Sequence, residues 1–252
     1  MSSFKPESTS GEKLRIDQLL VQRNLVDSRN KAQTLITDGQ ILVNHQVISK
    51  ISQKVCVDAD ITVLSYSQFV SRAGDKLDHV IKIFQINCQN QICADLGAST
   101  GGFTDCLLQH GAQKVYAIDV GYDQLAEKLR TDPRVVVMER CNARYLEALP
   151  EPIQMIVTDV SFISMTKLIP AMLQIAAPNA QGILLVKPQF EVGKEKLKDG
   201  LVKDPLLRQR CIQKVIEQFT NVGCTLLNQS PSSVPGAKKG NIEELIHIRF
   251  PA

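Results

Sequence analysis

The chain has 252 residues, 44% hydrophobic and 22% charged, which is ordinary globular composition and room for one large domain plus a small one. A net charge of +3 gives no bulk basicity, so a nucleic-acid partner must be argued from local patches, and the absence of tryptophan argues against a stacking-rich single-strand groove. Seven cysteines stand scattered without a C-x-x-C pair, several inside apolar runs, which points to a reducing cytoplasm and no metal cluster. No apolar run approaches the ~18 residues of a spanning helix, and the polar start lacks the core of a signal peptide.

Residues 1–12 are polar and read as a disordered tail. A compact unit is expected over residues 13–66. Leu14, Ile16, Leu19 and Leu20 suggest a helix, and Ser28 is placed to cap a second one carrying Ala32, Leu35 and Ile36, which stops at Asp38-Gly39. Short strands follow at Ile41-Leu42-Val43 and Val47-Ile48 around an Asn44-His45 turn, then at Val55–Val57 and Ile61–Leu64. Residues 67–71 read as a linker. Leu77, Val80, Ile81 and Phe84 then form a helical stripe that opens a second domain over residues 72–252.

From Ile92 onward strands and helices alternate. Strands are expected at Ile92–Leu96, Val115–Asp119, Val135–Met138, Met155–Asp159, Ile183–Val186, Cys224–Gln229 and Glu244–Arg249, with helices at Thr166–Ala176 and Pro205–Phe219. The alternation predicts an α/β, Rossmann-like, mostly parallel sheet of seven strands with helices on both faces. The last two strands have no crossover helix between them, so the sheet ends in an antiparallel hairpin. That ending is familiar in S-adenosylmethionine methyltransferases.

The stretch Asp95-Leu96-Gly97-Ala98-Ser99-Thr100-Gly101-Gly102-Phe103 runs from strand through a glycine-rich turn into a helix. Such a turn lets backbone approach a nucleotide-like ligand, with helix N–H groups pointing into the crevice. Asp119 ends the next strand, where a carboxylate can take both hydroxyls of an adenosine ribose. Cys141-Asn142 follows the third strand, as an adenine contact or an ordinary loop. Asp159 and Lys187 end the fourth and fifth strands and so face the same crevice. Glu243, at the start of an antiparallel last strand, reaches that edge too, and Lys76 is the remaining candidate by position. Lys194, Lys196, Lys198 and Lys203 form a basic loop, either a lid on RNA phosphates or a solvated loop.

Two resemblances cover about residues 13–250. Arg15-Ile16-Asp17, Leu19-Leu20, Ser28-Arg29, Ala32, Ile36, Gly39 and Ile41-Leu42-Val43-Asn44 resemble the small S-four-type RNA-binding module, which implies that Arg15, Arg29 and Lys31 meet folded RNA. Asn24 and His45 depart from it, each where glycine is usual. Eight lysines and arginines stand against seven acids in residues 1–66, so charge alone would not make this an RNA site. Lys76, Asp159, Lys187 and Glu243 look like the Lys-Asp-Lys-Glu tetrad of FtsJ-type ribose 2′-O-methyltransferases. Together with Ser71-Arg72-Ala73-Gly74-Asp75-Lys76-Leu77, Asp159-Val160-Ser161-Phe162-Ile163-Ser164, Val186-Lys187-Pro188-Gln189-Phe190-Glu191 and Gly240-Asn241-Ile242-Glu243, they resemble the TlyA family of rRNA methyltransferase/haemolysin-A proteins.

That resemblance implies S-adenosylmethionine as cofactor, held by Asp95, Gly97, Ala98, Ser99, Thr100, Gly101, Gly102, Phe103, Asp119, Val120, Cys141, Asn142 and Asp159. It implies methylation of cytidine ribose in ribosomal RNA by a cytoplasmic, metal-free monomer acting on ribosomal subunits. Lys187 would be the base, with Lys76, Asp159 and Glu243 orienting and tuning it, and Arg72, Lys194 and Lys196 would add RNA contacts. The choice of Glu243 over Glu244 rests on family register. Two other readings compete: a membrane-lytic haemolysin, and a non-catalytic RNA-binding factor of ribosome assembly.

Overall fold

The computed structural model describes residues 12–37, 39–63, 67–234 and 241–252, with the side chain of Lys194 also outside the description. The expected tail, the Asp38 helix stop, the strand end at Leu64 and the motif residue Gly240 therefore lie outside the described residues, apart from Glu12. The chain divides into two compact units, residues 1–66 and 67–252.

The first unit is built from β1 (Lys13–Arg15), α1 (Ile16–Gln22), α2 (Arg29–Thr37), β2 (Ile41–Val43), β3 (Gln46–Ile48), β4 (Lys54–Cys56) and β5 (Ile61–Val63). Leu14 does not begin a helix as its spacing suggests. It pairs with Val55 in an antiparallel β1–β4 ribbon, and α1 starts two residues later. Ser28 accepts the Lys31 N–H at 3.2 Å, the bond expected of a helix cap. Asn44 and His45 both have positive φ (49° and 63°), the backbone of the tight hairpin turn joining β2 to β3. Asn24, with φ 55°, likewise supplies the left-handed conformation glycine would take. Ile16, Leu19, Leu20, Ile36 and Ile41 are fully buried in this unit's own core.

The second unit runs α3 (Arg72–Ile83), β6 (Ile92–Leu96), α4 (Gly102–Gln109), β7 (Lys114–Ile118), α5 (Glu127–Arg130), β8 (Val135–Met138), β9 (Ile153–Thr158), α6 (Ile169–Ile175), β10 (Ala176–Val186), α7 (Pro188–Glu191), α8 (Pro205–Asn221), β11 (Thr225–Pro231) and β12 (Glu244–Arg249). The seven strands lie in the order β11-β12-β10-β9-β6-β7-β8. β8, β7, β6, β9 and β10 are parallel, and β12 inserts antiparallel between β10 and β11. The α/β expectation with an antiparallel end is borne out. The central strands are buried on both faces, which is why they read as unbroken apolar runs.

Strands β7, β9 and β11 and the end of α8 lie one or two residues from their expected bounds, and three further boundaries differ in kind. Residues 67–71 are not a free linker. Phe69 is buried against Gly74, where a Cβ would lie 2.3 Å from its ring, and the Val70 N–H donates to Asp105 Oδ2 at 2.8 Å. The expected Thr166–Ala176 helix begins as a 3₁₀ turn, Met165–Leu168, and becomes α-helical at Ile169. β10 starts at Ala176, and its register shifts between Ala176 and Gln181, so the run before Ile183 is strand although its polar residues hide it.

Candidate active site

The sheet register sets the site. Leu96 pairs with both Ile118 and Thr158, so Gly97, Asp119 and Asp159 are each one residue past an aligned row at the carboxyl edge. Ligands of open parallel sheets bind beyond that edge. Gly97 (φ 87°) turns the chain there, and a Cβ on it would lie 3.0 Å from a Val160 methyl carbon. Gly101 (φ 94°) makes the next turn, and a Cβ would lie 2.3 Å from Leu129.

Two adjoining clefts open at this edge, sharing Gly97, Ser99, Asp159 and Ser161. The first, about 330 Å³, is walled by Ile118, Val120, Cys141, Ala143, Ile163 and Leu168 and carries Asp119 and Asn142 as polar groups. The second, about 200 Å³, is lined by Ser71, Ala73, Asp95, Ala98, Thr100, Phe103 and Lys187 besides the shared residues. Gly101 and Gly102 line neither cleft. They serve the turn and the contact with α3 instead.

The carboxylates here are held by backbone. Asp119 Oδ2 accepts the Ser99 N–H at 2.8 Å and Oδ1 the Gly121 N–H at 2.7 Å. Asp95 is fully buried, and its Oδ2 accepts both the N–H (2.9 Å) and the hydroxyl (2.7 Å) of Thr104. Thr104 lies in the first turn of α4, so one of the helix N–H groups expected to face a ligand is spent on Asp95. Asp95 Oδ1 has no hydrogen-bond partner. Burial pushes this carboxyl up to about 7 against the pull of the Thr104 bonds. Asn142 Oδ1 caps the turn at Ala143–Tyr145 by accepting the Arg144 N–H.

The four tetrad residues form two ion pairs. Lys187 Nζ is 2.5 Å from Asp159 Oδ1 and donates to Ser161 Oγ at 3.0 Å, at the mouth of the second cleft. Lys76 Nζ donates to Glu243 Oε2 at 2.6 Å, with both side chains buried. Lys76 and Glu243 line neither cleft. Val186 pairs with Glu244, so Glu243 lies at the same sheet end as Lys187. Glu244 is instead a buried acid inside β12 whose carboxyl burial pushes up. Sequence reasoning gave no cleft role to Ser71, Gln124, Ser161 and Phe162; Ser71, Ser161 and Phe162 stood within the quoted motif stretches, and Gln124 carried no signal.

In the first unit Arg15 and Arg29 converge on buried Asp17, at 2.9 and 3.0 Å. Burial would raise the Asp17 carboxyl, but hydrogen bonds from the two arginines outweigh it and hold it down to about 2. The arginines stay partly exposed, so the acid fixes their placement without hiding them. Lys31, on α2, is half-buried, Arg72 opens α3, and Lys196 is exposed in the basic loop.

Comparison with known proteins places this geometry. Residues 69–250 match the FtsJ-like methyltransferase family and residues 14–61 the S4 domain. Hemolysin A of Brachyspira hyodysenteriae is 41% identical over 93% of this chain and 99% of its own. The 16S/23S rRNA (cytidine-2′-O)-methyltransferase TlyA of Mycobacterium tuberculosis is 41% identical over 93% of this chain and 89% of its own. A solved structure of a candidate hemolysin from Streptococcus thermophilus is 34% identical, with a TM-score of 0.76, over 95% of this chain and 89% of that one. With an S4 domain ahead of a seven-stranded sheet that carries both ion pairs at its carboxyl edge, the chain belongs to the FtsJ-like methyltransferase family.

Proposed function

We propose that this chain is an S-adenosylmethionine-dependent enzyme that methylates the 2′-oxygen of cytidine ribose in ribosomal RNA, with Lys187 as the base. The observation that carries the reading is the Lys187–Asp159 pair beside an apolar cleft of nucleoside size. The clefts suit the cofactor. Asp119 keeps a lone pair on each oxygen for ribose hydroxyls, the apolar walls suit an adenine, and the unpartnered Asp95 Oδ1 can accept from the amino group of the methionine part. When bound, the cofactor supplies an electrophilic methyl on a sulfonium, which needs no metal.

An ammonium carries three N–H bonds. Lys187 donates one to Ser161 and is held by charge against Asp159, and its side chain lines the second cleft, where substrate can meet it. With one proton lost, Nζ holds a lone pair for the ribose hydroxyl. With the cofactor held in the clefts, the ribose oxygen would receive its methyl group, and Nζ of Lys187 would take the hydroxyl proton. Lys76 and Glu243 neutralise each other and hold α3 to the start of β12.

RNA is gripped by the S4 domain through Arg15, Arg29 and Lys31, aided by Arg72, Lys194 and Lys196. In this reading the enzyme works as a monomer, on ribosomal subunits. That substrate makes the cytoplasm its compartment. No described helix is long and apolar enough to cross a membrane, and nothing in the site favours a lytic reading.

The test is Lys187→Arg against Lys187→Ala in single-turnover methylation of rRNA at saturating cofactor. A guanidinium keeps the charge but cannot shed its proton. Both variants should lose at least ~10²-fold in rate while cofactor affinity survives. Substantial activity in Lys187→Arg would leave Lys187 as an electrostatic group and refute the base.

A further inference from the structure

The loop after β9 holds a strained residue at the mouth of the site. Phe162 has φ 66° and is 88% exposed, a backbone conformation that is strained for a bulky residue and persists only where the surroundings impose it. α7 imposes it at two points. The Phe162 ring packs on Phe190 with centroids 5.2 Å apart. Glu191 accepts the Ser164 hydroxyl at 2.6 Å on Oε2 and the Met165 N–H at 2.7 Å on Oε1. Both ties come from one helical turn whose first residue follows Lys187, and the Phe190 N–H closes that turn on the Lys187 carbonyl at 2.9 Å. Between the ties and the sheet lies Ser161, the hydroxyl that takes one of the Lys187 N–H bonds.

We propose that Glu191 is a positioning residue for the methyl transfer: by clamping Ser164 and Met165 it fixes the 159–165 loop against the turn that carries Lys187, so that Ser161 and Asp159 aim Nζ at the ribose hydroxyl. This rests on the reading of Lys187 as the group that acts on the ribose. A carboxylate suits the role because its two oxygens serve two donors of one loop at once. Glutamine keeps an acceptor oxygen for the Met165 N–H and can only donate toward the Ser164 oxygen, so it preserves the clamp in part. Loss of both ties frees the loop, and a displacement of an ångström at a reacting group can cost about 100-fold in rate.

The experiment compares wild type, Glu191→Ala, Glu191→Gln and Lys187→Arg in full-length protein, measuring kcat and KM for rRNA and cofactor across pH 6–10. Glu191→Ala should lower kcat by about 10- to 100-fold, leave both KM values within about twofold, and displace the pH–rate profile by at least about half a unit, because the partners of Nζ are no longer fixed. Glu191→Gln should recover part of the rate and return the profile toward wild type. A merely structural role would lower the active fraction without moving the profile. Wild-type kcat and profile in Glu191→Ala, with Lys187→Arg inactive, would overturn this inference alone. An active Lys187→Arg would overturn the base reading beneath it. Should Glu191→Ala fail to fold, Ser164→Ala removes one of the two ties and carries the same expectation in direction and the same refutation.

Discussion

Asp119 gives one lone pair of each carboxylate oxygen to the backbone of its own loop, which locks its rotamer before any ligand arrives. Asp119→Ala should therefore weaken S-adenosylmethionine binding by roughly 1–3 kcal/mol, the cost of losing a charged acceptor, and leave cofactor-free RNA affinity unchanged. Calorimetry showing normal cofactor affinity would make Asp119 purely a loop fastener. In the S4 unit, Asp17 plays the same part for Arg15 and Arg29. Replacing Arg15, Arg29 and Lys31 together should weaken RNA binding and flatten its salt dependence, since each phosphate contact contributes a slope near −1 on a log–log plot. An unchanged slope in filter binding across salt would move the RNA contact elsewhere. Neither arrangement is legible from residue type. An arginine reads the same whether it faces solvent or a buried acid, and only the fold brings Arg29 to the Asp17 that Arg15 already neighbours in sequence.

At the scale of elements, the contact of α3 with α4 is a tight constraint beside the site. A Cβ on Gly102 would lie 2.3 Å from Ser71 Oγ, 2.9 Å from Ala73 Cβ and 2.9 Å from the Gly74 nitrogen. Two of these cannot swing away, so Gly102→Ala should force the helices apart and destabilise the protein by roughly 1–3 kcal/mol, read as a lower urea midpoint. A midpoint equal to wild type would mean that α3 yields without cost. Strand β6 falls where the sequence puts it, because a strand buried on both faces is written as a continuous apolar run; β8 and β12 keep their expected bounds too, the first as an apolar run on a half-buried edge strand. β10 is missed over its first half, where Pro178, Asn179 and Gln181 interrupt the run and the pairing itself is irregular. The glycine turn was legible as a turn. That Gly101 and Gly102 answer to Leu129 and α3 rather than to a ligand was not, since steric contact leaves no trace in residue type.

At the scale of the molecule, the sheet carries a buried pH-sensitive group away from the site. His247 on β12 donates from Nε2 to Gln181 Oε1 at 2.7 Å and accepts at Nδ1 from Asn228 at 3.1 Å, a pattern that requires the neutral ring. Burial, with Arg249 adding to it, holds the imidazole down to about 4 from 6.5. A histidine depressed in the folded state contributes stability that is complete above about pH 6.5 and is lost as pH falls toward 4, about 3 kcal/mol over that window. The Asp95 carboxyl, raised to about 7, runs in the opposite sense, so the test is the difference between wild type and His247→Gln. The two unfolding free energies should converge as pH drops from 7.5 to 5; a constant gap would show that His247 does not titrate as its surroundings dictate.

The large-scale plan was the most legible level, because alternating strands and helices with no crossover before the last strand admit few sheets. The ion pair between Lys76 and Glu243, 167 residues apart in sequence, was nameable only through family resemblance. What the plan is for is decided by one measurement. The full-length protein is incubated with methyl-labelled S-adenosylmethionine and separated ribosomal subunits, and the labelled RNA is digested and mapped. The account predicts label on rRNA at the 2′-oxygen of a cytidine, present with wild type and absent with Lys187→Ala. Label on a base, label on protein alone, or equal label from Lys187→Ala would contradict it.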